Sequence, residues 1–315
     1  VKILVTGGAG FIGSHVVDKL IQQQCRVVVV DNLSSGLREH VNTAAKLIEM
    51  DIGSPELLAL FEQEKFDYVI HQAAQTTVAQ SIDRPDRDCQ VNIAGSVNLL
   101  EACRKTAVRR IVFASTAAAY GNAADIPIPE SAPKQPTSFY GLSKWTVEQY
   151  LALYRQIFGL EYIVLRCANV YGERQGNSGE GGVISIFSKK LHERRPVTIF
   201  GDGGQSRDFI YVGDVAAANC LALTAKTCNA AFNISTGTET SLNTLVKLLE
   251  QAAGIKLKKY FAQPREGDIY RSSLDNTAAG KYLSWQPQMP LSQGLGRTYQ
   301  ALKQPGLNQR EGREW

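Results

Sequence analysis

The sequence predicts an α/β fold: a doubly wound parallel sheet followed by a smaller mixed α/β domain. Three observations carry this. Apolar runs of strand length at 1–6, 26–31, 46–50, 67–71, 109–114 and 161–166 alternate with amphipathic stretches of helix length at 11–24, 54–64, 87–105 and 138–158. The strand runs are apolar at successive positions, as strands covered on both faces are. After about residue 170 the rhythm fades into Gly-rich stretches at 172–182 and 201–204, with shorter elements near 197–200, 209–211 and 231–234.

The first strand, Val1-Lys2-Ile3-Leu4-Val5-Thr6, runs straight into Gly7-Gly8-Ala9-Gly10-Phe11-Ile12-Gly13 and then into the first helix. Glycines at such a junction permit a tight turn and let a pyrophosphate approach the backbone N–H groups at the helix N-terminus. The second strand ends in an acid, Asp31, as a Rossmann-type dinucleotide fingerprint requires. A carboxylate there accepts hydrogen bonds from ribose hydroxyls and repels a 2′-phosphate, and Asn32-Leu33 bring no cation, so NAD is favoured over NADP. Residues 1–169 are therefore the expected dinucleotide-binding domain. Residues 170–315 form the smaller domain, and a strand and helix at 207–227 rejoin the large sheet.

Composition narrows the class of partner. The chain has 315 residues, a hydrophobic share of 44%, a charged share of 20% and a net charge of +4. Its basic residues are scattered, which argues against nucleic acid and membrane surfaces. Cys25, Cys89, Cys103, Cys167, Cys220 and Cys228 lie far apart, and the His residues are equally dispersed, so neither a disulfide framework nor a metal site is expected. The opening residues read as a buried strand rather than a signal peptide. A cytoplasmic setting is the expectation.

The chemistry centres on Tyr140-Gly141-Leu142-Ser143-Lys144, at the start of a long helix, with Tyr140 and Lys144 one turn apart on one face. A free phenol ionises near pH ~10, and making it a base at neutral pH takes on the order of 4 kcal/mol of preferential phenolate stabilisation. A nearby ammonium and an oxidised nicotinamide ring are the charges that would supply it. The fifth strand ends Phe113-Ala114-Ser115-Thr116, so the Thr116 hydroxyl lies at a carboxyl end, where open α/β sheets bind ligands.

TGGAGFIG (6–13), Asp31, Asp51-Ile52, His71-Gln72-Ala73-Ala74, Asn92, ASTAAAYG (114–121), YGLSK (140–144), LRCANVYG (165–172), RDFIYVGDVA (207–216) and REGD (265–268) together resemble the extended short-chain dehydrogenases/reductases, and within them the UDP-glucose/UDP-galactose 4-epimerase group. The resemblance spans nearly the whole chain. It implies that Thr116, Tyr140 and Lys144 are catalytic, and that Gly7, Gly10, Phe11, Ile12, Gly13, Asp31, Asn32, Asp51, Ile52, Ala73, Ala74 and Asn92 contact NAD or support its site. It places Asn169, Val183, Phe200, Arg207, Arg265, Asp268 and Ser272 around the nucleotide sugar. Arg207 and Arg265 suit a diphosphate, because a guanidinium fork pairs two oxygens at once. Thr116 stands where serine is usual, Glu266 where proline is common and Cys167 where an aromatic is frequent. These departures bear on the sugar rather than the chemistry.

The same scaffold also runs dehydratases, which carry an Asp-Glu pair after the Ser/Thr, and decarboxylases, which keep a Glu two residues on. Ala117-Ala118-Ala119 follow here, leaving oxidation and reduction alone. The resemblance thus implies NAD-dependent 4-epimerisation of a UDP-hexose through a 4-keto sugar. The alternatives are an epimerase or reductase for another nucleotide sugar, such as a uronate or deoxyhexose, and a catalytically idle NAD-binding regulator. The resemblance also implies that Ser272, four residues after Asp268, lines the sugar pocket and is small where a tyrosine would exclude an N-acetyl group, so the N-acetylhexosamines are expected substrates as well. Helices 87–105 and 138–158 carry apolar residues on more than one face (Val91, Ile93, Val97, Leu99, Leu100, Trp145, Leu151, Leu153, Tyr154 and Phe158); one face should cover the sheet and the surplus implies a homodimer.

Overall fold

The structure, a computed structural model, describes residues 1–123, 125–176, 182–264 and 269–303. Strands β1 (Lys2–Thr6), β2 (Arg26–Asp31), β3 (Lys46–Glu49), β4 (Tyr68–His71), β5 (Arg110–Thr116) and β6 (Glu161–Cys167) fall where the apolar runs predict them. Short strands follow at β7 (Asn169–Tyr171), β8 (Val197–Phe200), β9 (Ser206–Arg207) and β10 (Phe209–Tyr211), then β11 (Ala230–Ile234), β12 (Thr240–Ser241) and β13 (Lys259–Ala262). The main sheet has the order β11-β6-β5-β4-β1-β2-β3. Every pairing within it is parallel.

Side chains alternate across this sheet and build two cores. Ile3, Val5, Val29, Ile70, Val112 and Ile163 pack on one face with Val16, Val17 and Leu20 of α1 (Phe11–Gln22). Leu4, Val28, Val69, Ile111 and Phe113 pack on the other with α2 (Leu57–Glu64). That two-sided burial is why the strands read as unbroken apolar runs. The small helices α3 (Val78–Asp83) and α4 (Pro85–Asp88) lead into a π-helical turn at Cys89–Ala94 and then α5 (Gly95–Lys105). The single helix expected over 87–105 is thus interrupted at Asn92. A π turn shifts the face by one residue without breaking the apolar period, so the pattern alone does not reveal it.

Helix α6 (Phe139–Phe158) is capped as its sequence dictates. The Ser138 hydroxyl accepts the Gly141 N–H at 3.1 Å, and Gly159 stops it in the left-handed region. Its Val147, Leu151 and Tyr154 fill the second core, worth about 1.5–3 kcal/mol each by burial alone.

Beyond residue 170, α7 (Val183–His192), α9 (Leu242–Ala253) and α11 (Leu291–Ala301) enclose a third core with β8 and β10. Of the strand and helix expected at 207–227 to rejoin the large sheet, only the helix does: α8 (Val212–Thr224) packs on α1, with α10 (Thr277–Leu283) contributing Leu283 to the same core, whereas β10 pairs with β7 and β9 with β12. The strand expected near 231–234 belongs to the main sheet, not to the smaller unit where the sequence pattern placed it. It pairs with β6 as the edge strand β11, burying Phe232 and Ile234.

Candidate active site

The glycine turn builds the first half of a cleft. Gly7 has φ +69, and a Cβ there would lie 2.6 Å from the Ala73 nitrogen; one on Gly13 would lie 2.1 Å from the Gly7 oxygen. Only glycine allows β1, β4 and α1 to converge this closely. Helix α1 then begins at Gly10 with no side-chain cap and no acid in its first turn. An uncapped N-terminus of this kind fits an anion, and a pyrophosphate above all.

Asp31 is buried at the end of β2. Its Oδ2 accepts the Ala9 N–H at 2.9 Å and its Oδ1 the Leu33 N–H at 2.8 Å. The carboxylate therefore braces the phosphate turn, while each oxygen retains a further lone pair for a hydroxyl. Arg38, the next cation along the chain, is committed to Glu49. Asn32 donates to Asp51 Oδ2 at 2.7 Å, closing the rim. These features suit NAD and disfavour a 2′-phosphate.

One cleft brings together Gly7, Gly10, Phe11, Ile12, Gly13, Asp31, Asn32, Asp51, Ile52, Ala73, Ala74, Tyr140, Asn169 and Val183. Thr116, Lys144 and Asn92 are not among its lining residues. Phe200 and Ser272 do not line it, and Arg207, which donates to the Ser206 carbonyl at 2.8 Å, does not either. Arg265 and Asp268 lie outside the described residues. Among the described residues no His, Cys, Asp and Glu gather into a metal-binding group.

Thr116 ends β5 and caps the 3₁₀ turn Ala117–Ala119, its Oγ1 accepting the Ala118 N–H at 3.1 Å. Gly141 lets α6 dock on that turn, since a Cβ there would stand 2.6 Å from the Ala118 oxygen. The docking sets the Tyr140 hydroxyl beside Thr116. The ring is half-buried, but the hydroxyl end is enclosed, and burial pushes the phenol up to about 12 although the Thr116 contact favours ionisation.

The Lys144 ammonium donates to the Ala114 carbonyl at 2.9 Å and sits 4.8 Å from the centre of the Phe113 ring. Burial pulls it down to about 8, offset in part by the charge of Asp88. Within the protein the Thr116 contact favours the phenolate and burial outweighs it; a positive charge brought by a ligand would favour the phenolate further.

Asn92 donates from Nδ2 to the Gln75 carbonyl, to Asp88 Oδ1 and to Ser143 Oγ at 3.0, 3.0 and 3.1 Å, and its Oδ1 accepts the Gln75 N–H at 2.8 Å. Gln75, Asp88 and Ser143 escape the sequence reading. Asp88 alone left a signal there, four residues ahead of Asn92 and so one helical turn away. His71 is buried between Thr6 Oγ1 and Ser96 Oγ, at 2.8 and 2.9 Å, and burial pulls it down to about 3, so it serves as a neutral structural link.

Residues 3–235 match the NAD dependent epimerase/dehydratase family. The UDP-glucose 4-epimerase of Thermotoga maritima, solved with UDP-glucose, is 45% identical, with a TM-score of 0.94 over 96% of this chain and 99% of that one. The UDP-N-acetylglucosamine 4-epimerase of Methanobrevibacter ruminantium, solved with UDP-N-acetylmuramic acid, is 34% identical, with a TM-score of 0.92 over 96% and 98%. The Thermus thermophilus UDP-glucose 4-epimerase, solved with NAD, is 38% identical, with a TM-score of 0.91 over 97% and 100%.

Proposed function

The chain belongs to the NAD dependent epimerase/dehydratase family, and on that premise we propose that it interconverts UDP-hexoses at carbon four, with Tyr140, Lys144 and Thr116 as its working groups. The turn Ala117–Ala119, directly after Thr116, carries the choice within the family. Eliminating water takes a proton donor and acceptor of its own, and three alanines provide neither. The similar UDP-glucose 4-epimerase and UDP-N-acetylglucosamine 4-epimerase support UDP-glucose, UDP-galactose and their N-acetylated counterparts as substrates.

Bound NAD supplies a hydride acceptor and donor and, when oxidised, a positive ring that favours the phenolate. The N–H groups of residues 11–13 hold the pyrophosphate, Asp31 and Asn32 the ribose, and Asp51, Ile52, Ala73 and Ala74 the flanking surface, with Asn92 bracing the wall. The Tyr140 oxygen takes the proton of the sugar 4′-hydroxyl and later returns it to the 4-keto oxygen. Thr116 holds that same oxygen and passes the proton through its contact with Tyr140. Lys144, fixed by Ala114, keeps a cation behind the pair. The nucleotide sugar is held by Arg207 and Arg265 on the diphosphate and by Asn169, Val183, Phe200 and Asp268 around it, with Ser272 leaving room at carbon two.

A cytoplasmic homodimer completes the reading. No helix among the described residues is long and apolar enough to cross a membrane, and the cysteines are free. On α6, Phe139, Leu142, Tyr150, Leu153 and Ile157 form an exposed apolar stripe, which a second copy would cover.

Incubation of the purified protein with UDP-glucose, UDP-galactose and the N-acetylated pair, without added cofactor, tests the proposal. Both pairs interconvert, and Ser272→Tyr loses only the N-acetylated pair. Stoichiometric consumption of external NADPH would make the protein a reductase. Rejection of the N-acetylated pair by the wild type would remove Ser272 as the determinant.

A further inference from the structure

Asp88 is a buried carboxylate, 1% exposed, at the end of α4. Among the described residues no cation lies within ion-pair distance of it. Its Oδ1 accepts from Asn92 Nδ2 at 3.0 Å and from Gln75 Nε2 at 3.3 Å. Asn92 also donates to Ser143 Oγ at 3.1 Å, and Ser143 donates to the Tyr140 carbonyl at 3.0 Å, so these contacts reach the turn of α6 between Tyr140 and Lys144. The π turn at Cys89–Ala94 aims Asn92 into this position. Neutral amides thus fix an acid one layer behind two groups whose ionisation matters.

We propose that Asp88 is a positioning residue for the Tyr140–Lys144 pair, its fixed negative charge keeping the buried Lys144 ammonium protonated at working pH. The groups facing that ammonium from the packed elements are few. Asp88 comes from α4, Glu148 from α6, Cys167 from β6 and His71 from β4, beside the Ala114 carbonyl and the Phe113 ring of β5. His71 is neutral, and burial pushes the Cys167 thiol up to about 12, so neither balances the ammonium. Glu148 is already engaged by Arg166, with Nη2–Oε2 at 2.5 Å. Asp88 remains as the uncompensated charge, and it opposes the Tyr140 phenolate as well. Removing the charge should therefore move both groups the same way, toward lower pH.

The catalytic arm of the test rests on the epimerase reading; the stability arm does not. In Asp88→Asn, both limbs of the kcat/KM–pH profile for UDP-galactose move to lower pH, the alkaline limb by about one pH unit. A purely structural role would instead lower activity by one factor at every pH. For stability, Lys144 ionises at lower pH in the folded than in the unfolded chain. The unfolded state then binds more protons above about 8, and stability rises with pH from there. Without Asp88 that rise begins earlier, so the thermal midpoint of Asp88→Asn relative to wild type climbs between about pH 7 and 8. Asp88→Glu keeps the wild-type behaviour, and Asp88→Ser serves as the charge-free variant should Asn not be accommodated. A profile that keeps its limbs, or a midpoint difference flat across pH 6.5–9, overturns the proposal; so does an Asp88→Glu that behaves like Asn. A wild type without epimerase activity fails the functional reading alone and leaves the stability arm to judge Asp88.

Discussion

Tyr140, Thr116 and Lys144 were legible in the sequence because each sits at a junction that the apolar rhythm locates: the end of β5 and the first turns of α6. The partner of the Lys144 ammonium was not, because the Ala114 carbonyl is 30 residues away in the chain and carries no residue-specific signal. Burial was equally invisible, and burial sets the phenol at about 12. A measurable consequence follows. Adding NAD⁺ but not NADH to nucleotide-free protein should lower the pH at which one tyrosine ionises, and Tyr140→Phe should abolish that change; spectrophotometric titration reads it. In turnover, Tyr140→Phe should lower kcat by about 10²–10⁴-fold while leaving UDP-sugar binding nearly unchanged, since only the ionisable oxygen is lost. A variant retaining more than a few per cent of activity contradicts the role assigned to the oxygen.

Among the elements, the strands of the Rossmann half could be read off almost residue by residue, since two-sided burial demands apolar residues at every position. The interruption at Asn92 and the return of β11 could not, for a π turn keeps the apolar period and an edge strand looks the same in either sheet. What joins α6 to the sheet was likewise hidden. Arg166 on β6 and Glu148 on α6 form a buried pair, with Ser115 donating to Glu148 at 2.6 Å and Arg166 to the Tyr120 hydroxyl at 2.9 Å. Such a pair is costly to break one-sidedly. Arg166→Met should destabilise the protein by about 3–5 kcal/mol, because Glu148 is left charged and buried, and Arg166→Met with Glu148→Leu should recover most of it. Denaturant unfolding of the two variants decides, and equal losses would mean that the pair does not act as a unit.

At the scale of the whole molecule, the sequence showed that two helices carry apolar residues on more than one face, but not which residue belongs to which face. Leu99, Leu100, Leu151 and Tyr154 belong to the core, Val91, Ile93, Val97 and Trp145 are half-buried, and Leu153 and Phe158 are exposed. The exposed stripe is concentrated on α6, with Val78 and Ile82 of α3 also bare. The wild type should therefore be a dimer by light scattering and Leu153→Glu with Ile157→Glu a folded monomer, and a wild-type monomer at micromolar concentration would contradict the interface. The central claim, a redox-neutral inversion at carbon four, is tested most directly by following a label. UDP-galactose carrying deuterium at carbon four, incubated with the purified protein in ordinary water without added cofactor, should yield UDP-glucose that keeps the deuterium at that carbon. Product in which the label has exchanged with water would mean that the carbon is deprotonated rather than oxidised, and would contradict the account.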